Sequence, residues 1–168
     1  MGKKTGFLMA TVHQGSATAM WKALAEETSN HPEDALFVFP GGRISFPESS
    51  EYLRNDIYSL ANSQNLDGQV IWASTLTGKV GDEAAKEFVK SKASDMPVVS
   101  IGLSVDGVSS VDFDAYSGVF KAVSHLINHH GIKKIAFLRG PETHPSAEAR
   151  YQAYLDVLKE YSIPIDHR

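Results

Sequence analysis

The chain has 168 residues, of which 42% are hydrophobic and 21% charged, which describes roughly one globular domain and excludes a long disordered tail. Its formal net charge is −4 and its only basic pairs are Lys3, Lys4 and Lys133, Lys134, so direct nucleic-acid contact by this segment is not expected. There is no cysteine, which excludes disulfides and thiolate metal sites and fits a reducing, cytoplasmic setting.

The apolar run Phe7 to Ala10 is too short for a signal-peptide core or a membrane span. It reads as the end of a first strand, Thr5 to Ala10. Thr11 to Gly15 then lead to a helix starting near Ala17, with Ser16 as N-cap and Met20, Ala23, Leu24 and Trp21 turned inward. Ala35 to Phe39 is a second buried strand, and Pro40, Gly41, Gly42 a turn. The spacing of Leu53, Ile57, Leu60 and Ala61 predicts a helix over Glu51 to Ser63. A third strand, Gln69 to Trp72, is followed by a polar loop from Ala73 to Lys79. A helix from Glu83 to Lys90 places Ala84, Phe88 and Val89 inward, and Pro97 to Ile101 is the fourth strand.

The stretch from Ser110 to Tyr161 organises the rest. It reads as a short strand ending in Asp112, a helix near Ala115 to His129 with the stripe Val119, Val123, Leu126, Ile127, a buried strand from Lys134 to Leu138, and a helix carrying Arg150. Strands alternating with helices at this pace predict an α/β fold, a doubly wound parallel sheet of Rossmann-like form. Ligands of such sheets bind beyond the carboxyl ends of the strands.

That placement selects the candidate binding residues. His13 and Gln14 follow strand one, Phe39 and Trp72 end strands two and three, and Ser74 sits in the next loop. Asp112 ends a strand, Arg139 follows one, and Arg150 lies on the last helix. The aromatics suit stacking on a ring, and equally suit plain core packing. An arginine fork suits hydroxyls or a carboxylate, or a surface bridge to Glu142 or Glu148. Asp112 suits sugar hydroxyls or the orientation of Arg139, whereas Asp114 reads best as a helix N-cap. His129 and His130 precede Gly131 and read as a helix carboxyl terminus; adjacent residues share no face, so no metal site is expected. Phosphate-loop, nucleophile-elbow and zinc-protease motifs are missing from the sequence, so neither an enzyme nor a bound cofactor is expected.

Val111, Asp114, Gly118, then His125, Leu126, Ile127, Gly131, Ile135 to Leu138, Gly140, Pro141, and finally Ala147, Arg150, Ala153, Tyr154 spell a pattern that resembles the lactose-repressor (LacI) family of type I periplasmic-binding-protein-like domains. The run Met96 to Ile101 is similar to a segment of the same family. The resemblance implies a two-lobed sensor closing on a small molecule, often a sugar or nucleobase, with Arg150 at the ligand. It further implies a first lobe over 1–131 and the start of an incomplete second lobe over 132–168; the expected lack of a helix-turn-helix ahead of strand one departs from the repressors of the family. The expectation is a sugar- or nucleoside-sensing domain of a signalling or regulatory protein. The effector domain of a LacI-type transcription regulator, trimmed of its DNA-binding part, is the alternative, and a flavodoxin-like enzyme or receiver is a further one. An incomplete lobe leaves apolar faces at Ile135 to Leu138 and on the final helix, which points to a homodimer.

Overall fold

A computed structural model of the chain describes residues 2–13, 15–44, 50–77, 82–140, 142 and 144–165. The described residues form two compact units, Met1–Asp112 and Phe113–Arg168.

The first unit is a five-stranded sheet in the order β2-β1-β3-β4-β5, with every pairing parallel. Its strands are β1 (Lys4–Met9), β2 (Ala35–Pro40), β3 (Gly68–Ile71), β4 (Val98–Ile101) and β5 (Ser109–Val111). Two side chains set the start of β1. The Lys3 N–H donates to Asp34 Oδ1 at 2.6 Å and the Lys4 N–H to Asp67 Oδ2 at 2.7 Å, so the residues just ahead of β2 and β3 hold the strand between them.

Alternation along the strands feeds two cores, one on each face. Leu8, Phe39 and Ile71 turn to the face covered by Tyr58, Ala61, Ala85 and Val89. Phe7, Met9 and Trp72 turn to the other, where Ala17, Met20, Trp21 and Leu24 of α1 (Ala17–Ser29) cover them. Phe7, Leu8 and Met9 are wholly buried. Burial of each is worth about 1.5–3 kcal/mol, and helices on both faces of a parallel sheet make the fold doubly wound, as the alternation of elements predicts.

Several local expectations are corrected. The segment expected as an α-helix over Glu51 to Ser63 is a 3-10 helix, Ser50–Leu60. Leu53 and Leu60 are 64% and 56% exposed, while Tyr58 and Ala61 are buried. The inward residues Asn55, Tyr58 and Ala61 recur every third position, which is the period of a 3-10 helix. Lys92 Nζ, from α3 (Glu83–Ala93), donates to the carbonyls of Tyr58 and Ala61 at 2.7 Å each and closes the end of that segment. Burial lowers the Lys92 pKa. The expected loop after β3 begins with a short helix, α2 (Ala73–Leu76), whose Ala73 and Leu76 enter the core; residues 78–81 lie outside the described residues. β2 is an edge strand, with Phe37 45% exposed. Ala23 is exposed, and Ser16 stands at the N-cap without a side-chain bond.

Tyr58 joins the carboxyl ends of β1 and β2. Its buried O–H lies 3.0 Å from the Met9 carbonyl and 2.8 Å from that of Gly42, and burial pushes its pKa up. Gly41 packs directly on the ring: a Cβ there would stand 2.4 Å from Tyr58 Cζ.

The second unit holds α4 (Ala115–His130) and α5 (Pro145–Glu160). Asp114 is the N-cap, as expected, its Oδ1 accepting from the Ser117 N–H at 2.9 Å. The Ser117 side chain, and after it this N–H, hold the Asp114 carboxyl below its ordinary pKa, so the cap is intact above the usual aspartate range and is lost on acidification. Gly131, at φ 65°, closes α4, with the Gly131 N–H donating to the Ile127 carbonyl and the Ile132 N–H to that of Leu126. Val123, Tyr154, Val157 and Leu158 form the core between the helices. The final helix is therefore better covered than expected.

The buried strand expected over Lys134 to Leu138 is not found. The segment pairs with no strand among the described residues, Ala136 is exposed and Leu138 is 98% exposed. The sequence run is that of a strand covered on both faces, but only Ile135 and Phe137 find cover, against Tyr151 and Tyr154. The Tyr154 O–H donates to the Ile135 carbonyl at 2.9 Å.

Gly41→Ala is expected to destabilise the first unit by about 1–3 kcal/mol through overpacking on the Tyr58 ring, and Tyr58→Phe by about 1 kcal/mol through loss of its hydrogen bond. Urea unfolding followed by circular dichroism checks both magnitudes and their order.

Candidate functional site

In the order 2-1-3-4-5 the chain leaves β1 toward one edge of the sheet and β3 toward the other. The loops diverge there, at the switch point outside the carboxyl strand ends where ligands of open parallel sheets bind. Thr75 of α2 spans it: its Oγ1 accepts from the Ala10 N–H at 3.2 Å and donates to the Trp72 carbonyl at 2.7 Å. The Trp72 N–H in turn donates to the Leu8 carbonyl at 2.9 Å. One hydroxyl thus ties the first residue beyond β1 to the first residue beyond β3.

β4 reaches the same place through Gly102, at φ +72°. A Cβ on Gly102 would stand 2.3 Å from Ser74 Oγ and 3.7 Å from Trp72 Nε1. Only glycine lets the backbone pass so close to the serine in this conformation. The structure therefore gathers Trp72, Ser74 and Gly102 at the end of the sheet. Trp72 is 7% exposed, its ring packed with Phe7, Met9, Ala17 and Ile101.

The remaining candidates are more scattered. His13 is exposed on the loop after β1, where its N–H lies 3.4 Å from Thr11 Oγ1, and the Thr18 O–H steadies that loop by donating to the Val12 carbonyl. Gln14 lies outside the described residues. Phe39 is 8% exposed and belongs to the core. Asp112 is exposed just beyond β5 and interacts with other residues.

Arg139 and Arg150 belong to the second unit. Arg139 donates from Nη1 to Glu142 at 2.8 Å and from Nη2 to Glu148, and its guanidinium carbon lies 4.4 Å from the centre of the Tyr151 ring. The bond to Glu148 raises its pKa. The bridge to Glu142 and Glu148 considered for Arg150 is made by Arg139 instead. Arg150 is exposed on α5 and forms no ion pair with another described residue.

Sequence reasoning missed Gly102 and the bridging role of Thr75. A glycine directly after a strand is the signal that points to the first; for the second, nothing in the sequence separates Thr75 from any other loop hydroxyl. Among the described residues no group of three or more histidine, aspartate or glutamate side chains is arranged around a common ion position, and no helix is long and apolar enough to cross a membrane.

The fold is that of one lobe of a type I periplasmic-binding-protein-like domain, an all-parallel α/β sheet wound on both faces. No family model matches the chain. Over 123 residues, 73% of its length, it is 27% identical to the ribose operon repressor of Bacillus subtilis (strain 168), covering 35% of that protein. It superposes with a TM-score of 0.71 at 21% identity on the transcription regulator CcpA of Lactococcus lactis, over 99% of this chain and 57% of that one. A LacI-family regulator of Enterococcus faecium with bound ribose matches with a TM-score of 0.64 at 18% identity, over 98% of this chain and 55% of that one. In fold and sequence pattern the chain resembles LacI-family transcription regulators, and it spans about a third of the curated relative and little more than half of these solved structures.

Thr75→Val keeps the shape and removes both hydrogen bonds, leaving the Ala10 N–H unpaired. It is expected to destabilise the first unit by about 1–3 kcal/mol and to speed amide exchange at Ala10, which hydrogen-exchange mass spectrometry reads directly.

Proposed function

We propose that the chain works as the effector-binding part of a LacI-type transcription regulator, taking a small sugar-like or nucleoside-like molecule without transforming it. The observation that supports this most is the convergence of Trp72, Ser74 and Gly102 beyond β1, β3 and β4, at the point where open parallel sheets hold their ligands. An indole edge and a hydroxyl suit a polar ring-shaped ligand. The relatives agree in kind: one is named for a ribose operon, and another holds ribose.

The regulator reading takes precedence over a sensor joined to some other signalling output, because the relatives described above are a repressor and transcription regulators. A receiver requires clustered carboxylates beyond β1, and Thr11, Val12 and His13 stand there instead.

In this proposal the sheet-bearing unit supplies His13, Gln14, Trp72, Ser74 and Asp112, while Phe39 serves the core. In the second unit, Arg150 and Arg139 are the proposed ligand contacts. Ligand favours the closed arrangement only to the extent that it binds that arrangement better than the open one. Such a regulator is cytoplasmic.

A thermal-shift screen of pentoses, hexoses, nucleosides and small organic acids tests the reading. A true effector at a hundredfold excess over its Kd contributes about 2.7 kcal/mol, a rise of roughly 5–10 °C for a chain of this size. Arg150→Ala is expected to reduce that rise. An undiminished rise removes Arg150 from the site, and no rise from any compound rejects the proposal. The proposed homodimer, which would cover the exposed Leu138, is checked by light scattering, where a monomer at high concentration excludes it.

A further inference from the structure

Three histidines meet at the carboxyl end of α4. The ring centroids of His125 and His129 are 4.5 Å apart and those of His125 and His130 are 5.0 Å apart. The Nε2 atoms of His125 and His130 approach to 3.3 Å. The neighbours His129 and His130 cannot share an ion across one face of a helix, but His125, about one turn earlier, lies close to both.

The 3.3 Å separation has a chemical meaning. Zinc holds imidazole nitrogen at about 2.0–2.1 Å in tetrahedral geometry, which places two such nitrogens about 3.3–3.4 Å from each other. The two Nε2 atoms therefore stand at the separation that a bidentate chelate requires. The alternative, an N–H···N bond between the rings, needs the same approach and yields to a cation that takes both lone pairs.

A further feature favours a cation there. The last turn of a helix carries unpaired carbonyls and partial negative charge. Of this pair, His125 borders a groove of about 380 Å³ between α4 and the end of α5, lined also by Ser124, Asn128, Glu160 and Tyr161, while His130 stands outside it. Ser124 Oγ is buried without a hydrogen-bond partner. The Asn128 amide donates to Tyr161 Oη at 2.6 Å and fixes the opposite wall.

We propose that His125 and His130 bind a divalent transition-metal ion of the imidazole-preferring kind, Zn²⁺, Ni²⁺ or Cu²⁺, with water in the remaining positions. Because no third side chain completes the site among the described residues, the ion is exchangeable. It cross-links positions 125 and 130 and thereby steadies the last turn of α4.

Calorimetric titration of the full chain with Ni²⁺ in mildly alkaline buffer, because a metal ion competes with protons for imidazole, tests this. The expected result is one ion per chain, with Kd raised at least about tenfold in His125→Gln and in His130→Gln, and changed by less than about threefold in His129→Gln. Far-UV circular dichroism confirms that each variant keeps its helices. Absence of saturable binding, or equal binding in the first two variants, overturns the proposal. Loss in His129→Gln with retention in His130→Gln overturns the pairing and assigns the ion to His125 and His129. In the unaltered chain, trace Cu²⁺ is expected to broaden the ring-proton resonances of His125 and His130 before those of His13 and His31, and broadening that starts at His13 or His31 rejects the site even if a variant fails to fold.

Discussion

Strand β1 lies between β2 and β3 and is hydrogen-bonded to both along most of its length. Its start is held by carboxylates from the residues before each neighbour, its middle is wholly buried on both faces, and its end is tied to β3 through Thr75. A one-residue slip of this strand would exchange Leu8 with Phe7 and Met9 between two cores that each fit only their own set. It would also carry Ala10 away from the threonine that receives its N–H. The switch point at the carboxyl ends owes its position to that register, because the loops bearing His13 and Ser74 leave from the two strands it fixes together.

The sheet was legible because parallel strands buried on both faces leave continuous apolar runs between polar turns, as in Phe7 to Ala10 and Val98 to Ile101. Where the pattern misled, the cause was a local period or a missing neighbour. Leu53 and Leu60 fit an α-helical stripe on paper, yet the segment winds at three residues per turn, so they are exposed and Tyr58 is buried, while Ile57 and Ala61 stay inward as expected. Ile135 to Leu138 has the composition of a covered strand, but burial belongs to the assembly of neighbours, and here Ile135 and Phe137 are only partly covered by the cluster of α4 and α5. The candidate site was legible in part. Strand ends could be located from the sequence, which found Trp72 and Ser74, whereas the tight approach of Gly102 and the twofold use of the Thr75 hydroxyl depend on distances between strands far apart in the chain.

Aromatic residues illustrate how position decides role. Phe39 and Trp72 both end strands and read alike in the sequence. Phe39 is packed among Leu8, Tyr58 and Leu66 and serves the core. Trp72 also packs on its own core, but its indole nitrogen lies close to Gly102 and the Ser74 hydroxyl, so one side chain holds the sheet together and edges the switch point.

The arrangement around Arg139 bears on the chemistry of any molecule that comes near it. Both arms of its guanidinium are engaged, one by Glu142 and the other by Glu148, and the Tyr151 ring lies against its face. A carboxylate or phosphate arriving there meets two resident negative charges competing for one positive partner, and must displace them to gain a hold. An uncharged polyol suffers no such repulsion and finds carboxylate oxygens ready to accept from its hydroxyls. Within the proposed function, this corner of the second unit favours neutral, hydroxyl-rich compounds over acids by its charge.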